Sequence, residues 1–200
     1  MEGTCRVVLA VVVLYGAPFV GGLVHAQAGR PEARRVVVLS DLHMGEGRDA
    51  TGGWSPFEDF RWSDEFELFL AALDAETEVA TDLVLNGDTF ELVQAEGNDC
   101  SYGEQVSGCS EEDALSGLTR VLDAHRGDVE ALGAFARSGD NRLVLVPGDH
   151  DAALLFSGVG FRALSAFRAP AERIRLATDG FWRSRDGFVH VEHGHQLETR

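Results

Sequence analysis

The sequence contains no lysine. All 17 of its basic residues are arginine. This excludes phosphate-loop chemistry, which needs a lysine on the phosphates, and Schiff-base catalysis, which needs a lysine amine. Cysteine is scarce. Cys5 lies near the N-terminus, which leaves Cys100 and Cys109, too few for a four-cysteine metal site. Two cysteines closing a short polar loop read as a disulfide of an oxidising compartment; two unpaired thiols are the alternative. Positive charge is also in short supply. Against 33 acids the 17 arginines leave a formal net charge of −16. A nucleic-acid or anionic-membrane partner would need a basic face, and neither is expected. Internal repeats and low-complexity tracts are absent from the sequence. The 200 residues, 44% hydrophobic and 25% charged, suit a single globular domain.

Between Arg6 and Arg30 no charged side chain occurs, and small residues follow at Ala26 and Ala28. The pattern reads as a secretory signal peptide over 1–26, followed by a linker over 27–34 and a domain over 35–200. The expected location is secreted or periplasmic. A retained membrane anchor is the alternative, although Gly16, Pro18, Gly21 and Gly22 make a poor spanning helix. Removing 1–26 takes away one acid, Glu2, and one arginine, Arg6, so the charge stays at −16.

Three segments share one grammar. "RVVVLSDLH", "DLVLNGD" and "RLVLVPGDHD" each run through four or so apolar residues, turn, and present acids or histidines. Continuous apolar runs of this length fit strands covered on both faces. Between them lie helical stripes. One carries Phe66, Phe69, Leu70 and Leu73. The other, over 111–137, carries Leu115, Leu118, Leu122, Val129 and Leu132. The second opens at Ser110 with Asp113 three residues on, a capping-box spacing. Gly117, Gly127 and Gly133 are its expected breaking points. Strand, helix, strand, helix, strand implies an α/β fold of parallel units with right-handed crossovers. The tail reads as a run of hairpins, with turns at "TDG" and "RDG". Residues 47–62 form a loop rich in glycine and aromatics. It either lines a pocket or is tucked onto the surface by Trp54 and Phe57.

In an open parallel sheet, ligands bind beyond the carboxyl ends of the strands. The three strands therefore bring Asp41, His43, Asp88, Asp149, His150 and Asp151 to one edge, and a fourth ends near His193 and His195. Converging carboxylates repel one another unless cations lie between them. Mixed Asp and His donors suit first-row divalent ions: Mn, Fe, Zn or Ni. Two such ions sharing a carboxylate can clamp an in-line displacement by a metal-bound hydroxide. His190 alternates with Val189 and Val191 and reads as structural. His125 falls on the apolar stripe of its helix and reads as a core histidine. Glu91 fits either a group supporting the ligands or an acid at a helix start.

"SDLH", "NGD", "GDHD" and "HGH", in that order and each after an expected strand, resemble the motifs of the calcineurin-like metallophosphoesterases. The likeness runs from Val36 to the end. It implies a four-layer α/β/β/α sandwich, here with an unfinished second sheet. It implies Asp41 and His43 on one metal, Asp88 bridging two, and Asp149 and His193 on the second. His150 would assist at the phosphoryl group of a phosphoester substrate, with Asp151 orienting it. Two departures stand out. Asp149 occupies a position where the family usually has asparagine. The family's final G-H-x-H is incomplete, because "GHQL" keeps only His195. Either His195 substitutes in part, or the sequence is a fragment, which is the reading we expect. A degenerate, non-catalytic relative serving as a metal-binding interaction module is the functional alternative. A nucleotide-binding or receiver-like α/β domain would leave His43, His150 and His193 without a role.

Overall fold

The computed structural model describes residues 12–14, 33–76, 79–93 and 110–197. Its centre is a sheet in the order β1 (Val12–Leu14), β2 (Arg35–Leu39), β3 (Thr81–Asn86), β4 (Arg142–Val146), β5 (Ile174–Leu176). Strands β2 to β5 are parallel, and β1 lies antiparallel on the outer edge of β2. The three apolar segments are thus adjacent strands in sequence order. The segment read as a leader contributes β1, so its removal would leave β2 as the sheet's edge. Among the described residues no helix is long and apolar enough to cross a membrane.

Alternation along the strands sorts the core into two. Val37, Leu39, Leu83, Leu85, Leu143 and Leu145 face one way and are buried with residues of α1 (Ser63–Ala75), α2 (Glu111–Ala124), α3 (Arg126–Arg137) and α4 (Ser157–Ala166). Val36, Val84, Val144 and Val146 face the other way. They meet Trp182 and Val191 from an antiparallel ribbon, β6 (Phe181–Arg183) with β7 (His190–Glu192). The described residues therefore form a helical layer, a sheet whose strands β2 to β5 are parallel, and a two-stranded sheet.

The tail differs from the expected run of hairpins. β5 joins the main sheet beside β4, and the turn at Thr178 to Gly180 carries the chain across to the second sheet. Only β6 and β7 pair as a hairpin. His190 and Glu192 point outward and Val191 inward, as the alternation implied.

α1 buries Phe66 and Leu70, with Phe69 and Leu73 half-covered beside them. The Ser110 hydroxyl accepts from the Asp113 amide at 3.1 Å and caps α2. The long helix breaks at His125 rather than at a glycine. This residue ends α2, starts α3 and is buried. Its Nδ1 bonds Asp128 at 3.0 Å and its Nε2 bonds Glu58 at 2.8 Å. Glu58 is fully buried in the 47–62 loop and also accepts from the amides of Gly45, Gly47 and Phe60. Glu58 and Phe60 therefore hold that loop down. Trp54 and Phe57 stay largely exposed, and Trp54 lies 3.8 Å beneath the Arg48 guanidinium.

Burial alone would lower the His125 pKa. Its hydrogen bonds to Asp128 and Glu58, and their charges, more than reverse this and raise it to about 9. A group whose pKa is raised on folding stabilises the fold fully below its unfolded value, near 6.5, and stops doing so as pH rises through the folded value. The cluster should therefore contribute about 3 kcal/mol at pH 6, at 1.36 kcal/mol per pKa unit, and little above pH 9. Urea unfolding with chelator present should show this loss between pH 6.5 and 9.5. In His125→Gln the slope should be smaller by this one group's share, the remainder coming from the raised pKa values of His43, His150 and His193.

Candidate metal centre

Three turns meet at the carboxyl edge of the sheet, and the backbone ties them together. The amides of Asp41, His43 and Met44 donate to the carbonyls of Gly87, Asp88 and Thr89, at 3.2, 2.9 and 3.0 Å. The amide of Gly87 donates to Val146, and that of His150 to Asp88 Oδ1 at 3.0 Å. Four non-glycine residues among those described have positive φ: Asp41, His43, Asp88 and Arg168. Three of them are acids or histidines of this edge. Such backbone costs of order 1 kcal/mol or more per residue and collects where surrounding structure holds a functional geometry.

Two glycines make the approach possible. A Cβ on Gly148 would overlap the Asp88 carboxylate and lie 2.6 Å from the Asp88 amide nitrogen. Gly87 has φ +79°, and a Cβ there would overlap the His193 ring.

The imidazoles are oriented by their Nδ1 atoms. His43 Nδ1 donates to Glu91 Oε2 at 3.1 Å. This turns Nε2 toward Asp88 Oδ2 at 3.7 Å and Asp41 Oδ1 at 4.0 Å. His193 Nδ1 donates to the Asn86 carbonyl at 3.0 Å. Its Nε2 lies 3.2 Å from Asp88 Oδ2 and 3.4 Å from Asp149 Oδ1. One oxygen of Asp88, a residue only 4% exposed, therefore faces both histidines. His195 sits on a short 3-10 turn, its ring centroid 5.4 Å from that of His193. Its Nδ1 is buried without a hydrogen-bond partner among the described residues.

The donors group accordingly. Asp41, Asp88 and His193 offer ligand atoms within 4.8 Å of one another, and so do Asp149, His193 and His195. An unpartnered buried nitrogen, Nε2 atoms turned toward carboxylates, and carboxylates at close quarters all fit divalent cations. A carboxylate or carbonyl on the second ring nitrogen is the usual support of a metal-binding histidine.

Asp151 does not orient His150. It is fully buried, and its carboxylate accepts from the amides of Gly148 at 2.7 Å, Thr89 at 2.9 Å and Phe90 at 3.3 Å. It pins the β4 turn to the β3 turn. Desolvation pushes its pKa up to about 6 against the pull of these amides. The place beside His150 is held by Glu91, whose Oε2 accepts from His150 Nδ1 at 2.7 Å. Glu91 is buried, and among the described residues Leu92 and Val93 after it are not helical. One carboxylate thus braces His43 and His150, whose rings stand edge to face with centroids 4.7 Å apart.

The charge balance shows in the histidines. The Glu91 hydrogen bond raises the pKa of His43, and it raises that of His150 to about 9, both against the opposing effect of burial. The Asp88 contact does the same for His193, also to about 9. Without a cation, protons are what offsets the acids of this edge.

Glu91→Gln removes the carboxylate while keeping its shape. Loss of a supporting group of this kind typically costs ten- to a hundredfold in metal affinity. Titration with Mn²⁺ should show a weakening of about that size. An unchanged affinity would mean that His43 needs no brace. Cys100 and Cys109, and most of the loop that bears them, lie outside the described residues.

Searches of protein-family models, curated proteins and solved structures find no match to the chain.

Proposed function

We propose that the chain is a metal-dependent phosphoesterase that holds two divalent ions at the carboxyl edge of its parallel sheet. The observation that carries this reading is the single Asp88 oxygen facing the Nε2 atoms of His43 and His193, with Asp41 on one side and Asp149 on the other. The calcineurin-like resemblance supports it. In that reading the three layers described belong to a four-layer sandwich, and the protein is exported.

The residues divide the work as follows. Asp41, His43 and Asp88 would hold one ion; Asp88, Asp149, His193 and His195 would hold the other. When bound, such ions supply Lewis-acid polarisation of a phosphoryl oxygen and acidify water as a nucleophile. Asp88 would be the ligand common to both, held in place by burial and by the His150 amide. His150 stands beside the centre with its Nδ1 on Glu91, and its Nε2 would donate a hydrogen bond to a phosphoryl oxygen or leaving group. The Glu91 carboxylate raises the His150 pKa and so favours keeping that proton.

The test is hydrolysis of aryl phosphate monoesters and diesters with added Mn²⁺. Turnover that chelator abolishes and metal restores supports the reading. Full metal occupancy without turnover on any phosphoester would favour the non-catalytic module instead.

Asp149 carries a separate expectation. As a carboxylate ligand it adds charge that an asparagine would not. Asp149→Asn should preserve the fold and change the ratio of Mn²⁺ to Zn²⁺ affinity by about tenfold, the low end of what changes around a metal cost. Competition dialysis measures it, and an unchanged ratio would remove Asp149 from the ligand set.

A further inference from the structure

Helices α2, α3 and α4 border a cavity of about 710 Å³ that shares no residue with the metal centre. Its volume is in the range of small-molecule pockets. Arg126, Arg137, Arg162 and Arg168 line it, against two acids, Asp123 and Glu130. In a chain with about twice as many acids as arginines, the balance here is inverted.

The four arginines are not equally committed. Arg126 pairs with Asp123 at 2.9 Å. Arg137 Nη1 donates to the carbonyls of Phe167 and Arg168, at 3.0 and 3.1 Å. The first belongs to the C-cap of α4 and the second to the residue after it. Their partial negative charge would otherwise repel an anion. The approach depends on Gly133, where a Cβ would overlap the Phe167 carbonyl. Arg162 and Arg168 have no carboxylate partner among the described residues.

Arg168 adds a second observation. It follows the C-terminus of α4 with φ +50°, and it is the one such non-glycine residue outside the metal centre among those described. Left-handed backbone after a helix is the usual place of glycine, which has no Cβ to clash. The backbone would be better served by glycine, yet an arginine stands here, at the lining of the cavity.

We propose that this cavity binds a phosphoryl anion, with Arg162 and Arg168 as its principal ligands and Arg137 beside them. Guanidinium forks match phosphate oxygens two at a time and keep their charge at any physiological pH. The proposal is independent of the activity assigned to the metal centre.

Pyrophosphate is the probe, titrated calorimetrically into chelator-treated protein so that the metal centre cannot recruit it. The expected result is saturable binding of one pyrophosphate per chain, weakened tenfold or more in the Arg162→Gln/Arg168→Gln double variant. Arg168→Gly should weaken binding several-fold while leaving the melting temperature unchanged or higher, because glycine relieves the backbone. That combination separates a binding role from a structural one. Citrate should bind far more weakly than pyrophosphate. Co-sedimentation with phosphatidylglycerol vesicles that the double variant abolishes would place the phosphoryl group on a lipid. Pyrophosphate binding without co-sedimentation would place it on a soluble ligand. The proposal is overturned by absent or non-saturable pyrophosphate binding, by binding unchanged in the double variant, or by citrate binding as tightly.

Discussion

Replacing Asp88 with asparagine is expected to abolish tight binding of two metal ions while leaving the fold intact. The asparagine oxygen can still accept from the His150 amide, as Asp88 Oδ1 does at 3.0 Å, so the β4 turn keeps its anchor. What disappears is the negative oxygen that faces both His43 and His193. Groups that merely support metal ligands cost ten- to a hundredfold when removed. A shared ligand should exceed the upper figure at both sites, and any phosphoesterase activity should fall by more than about a hundredfold. Mn²⁺ titration and steady-state hydrolysis read the two effects, and a melting curve measured with chelator checks the fold. Loss of one site with the other untouched would mean that Asp88 does not bridge.

Gly148→Ala should have the second-largest effect, by a different route. The residue bears no functional group, yet a methyl there overlaps the Asp88 carboxylate and presses on the Asp88 amide at 2.6 Å. The amide cannot move away freely. Asp88 already sits in left-handed backbone, and its neighbours are tied to the β2 and β4 turns. Displacing Asp88 would disturb both metal sites at once, and overpacking of this kind costs about 1–3 kcal/mol in stability. The variant should bind Mn²⁺ at least about tenfold more weakly, even where a change in stability is small. Near-normal affinity would show that the turn has room that the structure does not.

The sheet and most of its site were legible in the sequence because they rest on short-range rules. Four or five apolar residues, then a turn, then an acid is a strand with its carboxyl end marked. Asp41, His43, Asp88, Asp149 and His193 stand where those strands place them. What escaped depends on contacts made across the fold. The family resemblance implied that Asp151 orients His150. Asp151 instead turns inward to amides of the neighbouring turn, because a buried carboxylate needs donors and the Gly148, Thr89 and Phe90 amides supply them. Glu91 reaches both His43 and His150 because the chain after Asp88 runs alongside Met44, with the Glu91 amide donating to the Met44 carbonyl at 2.9 Å. Nothing in the spacing of "NGDTFE" announces that extension. The helix break at His125 has the same character. The glycines were the visible candidates, but the break falls at His125, whose Nε2 bonds Glu58, 67 residues away. The signal for it was a histidine on an apolar stripe, which marked burial without naming a partner. The strand β5 could likewise be read as a strand, but not assigned to its sheet, since the "TDG" turn allows either a hairpin or a crossing between sheets.

The claim on which the function rests is that two ions share Asp88. Electron paramagnetic resonance of the chain loaded with Mn²⁺, alongside equilibrium dialysis, tests it most directly. Two ions bridged by one carboxylate should give two Mn²⁺ per chain and an exchange-coupled, multiline spectrum that collapses in Asp88→Asn. One ion or fewer per chain, or two ions with independent six-line spectra unaffected by that substitution, would contradict it.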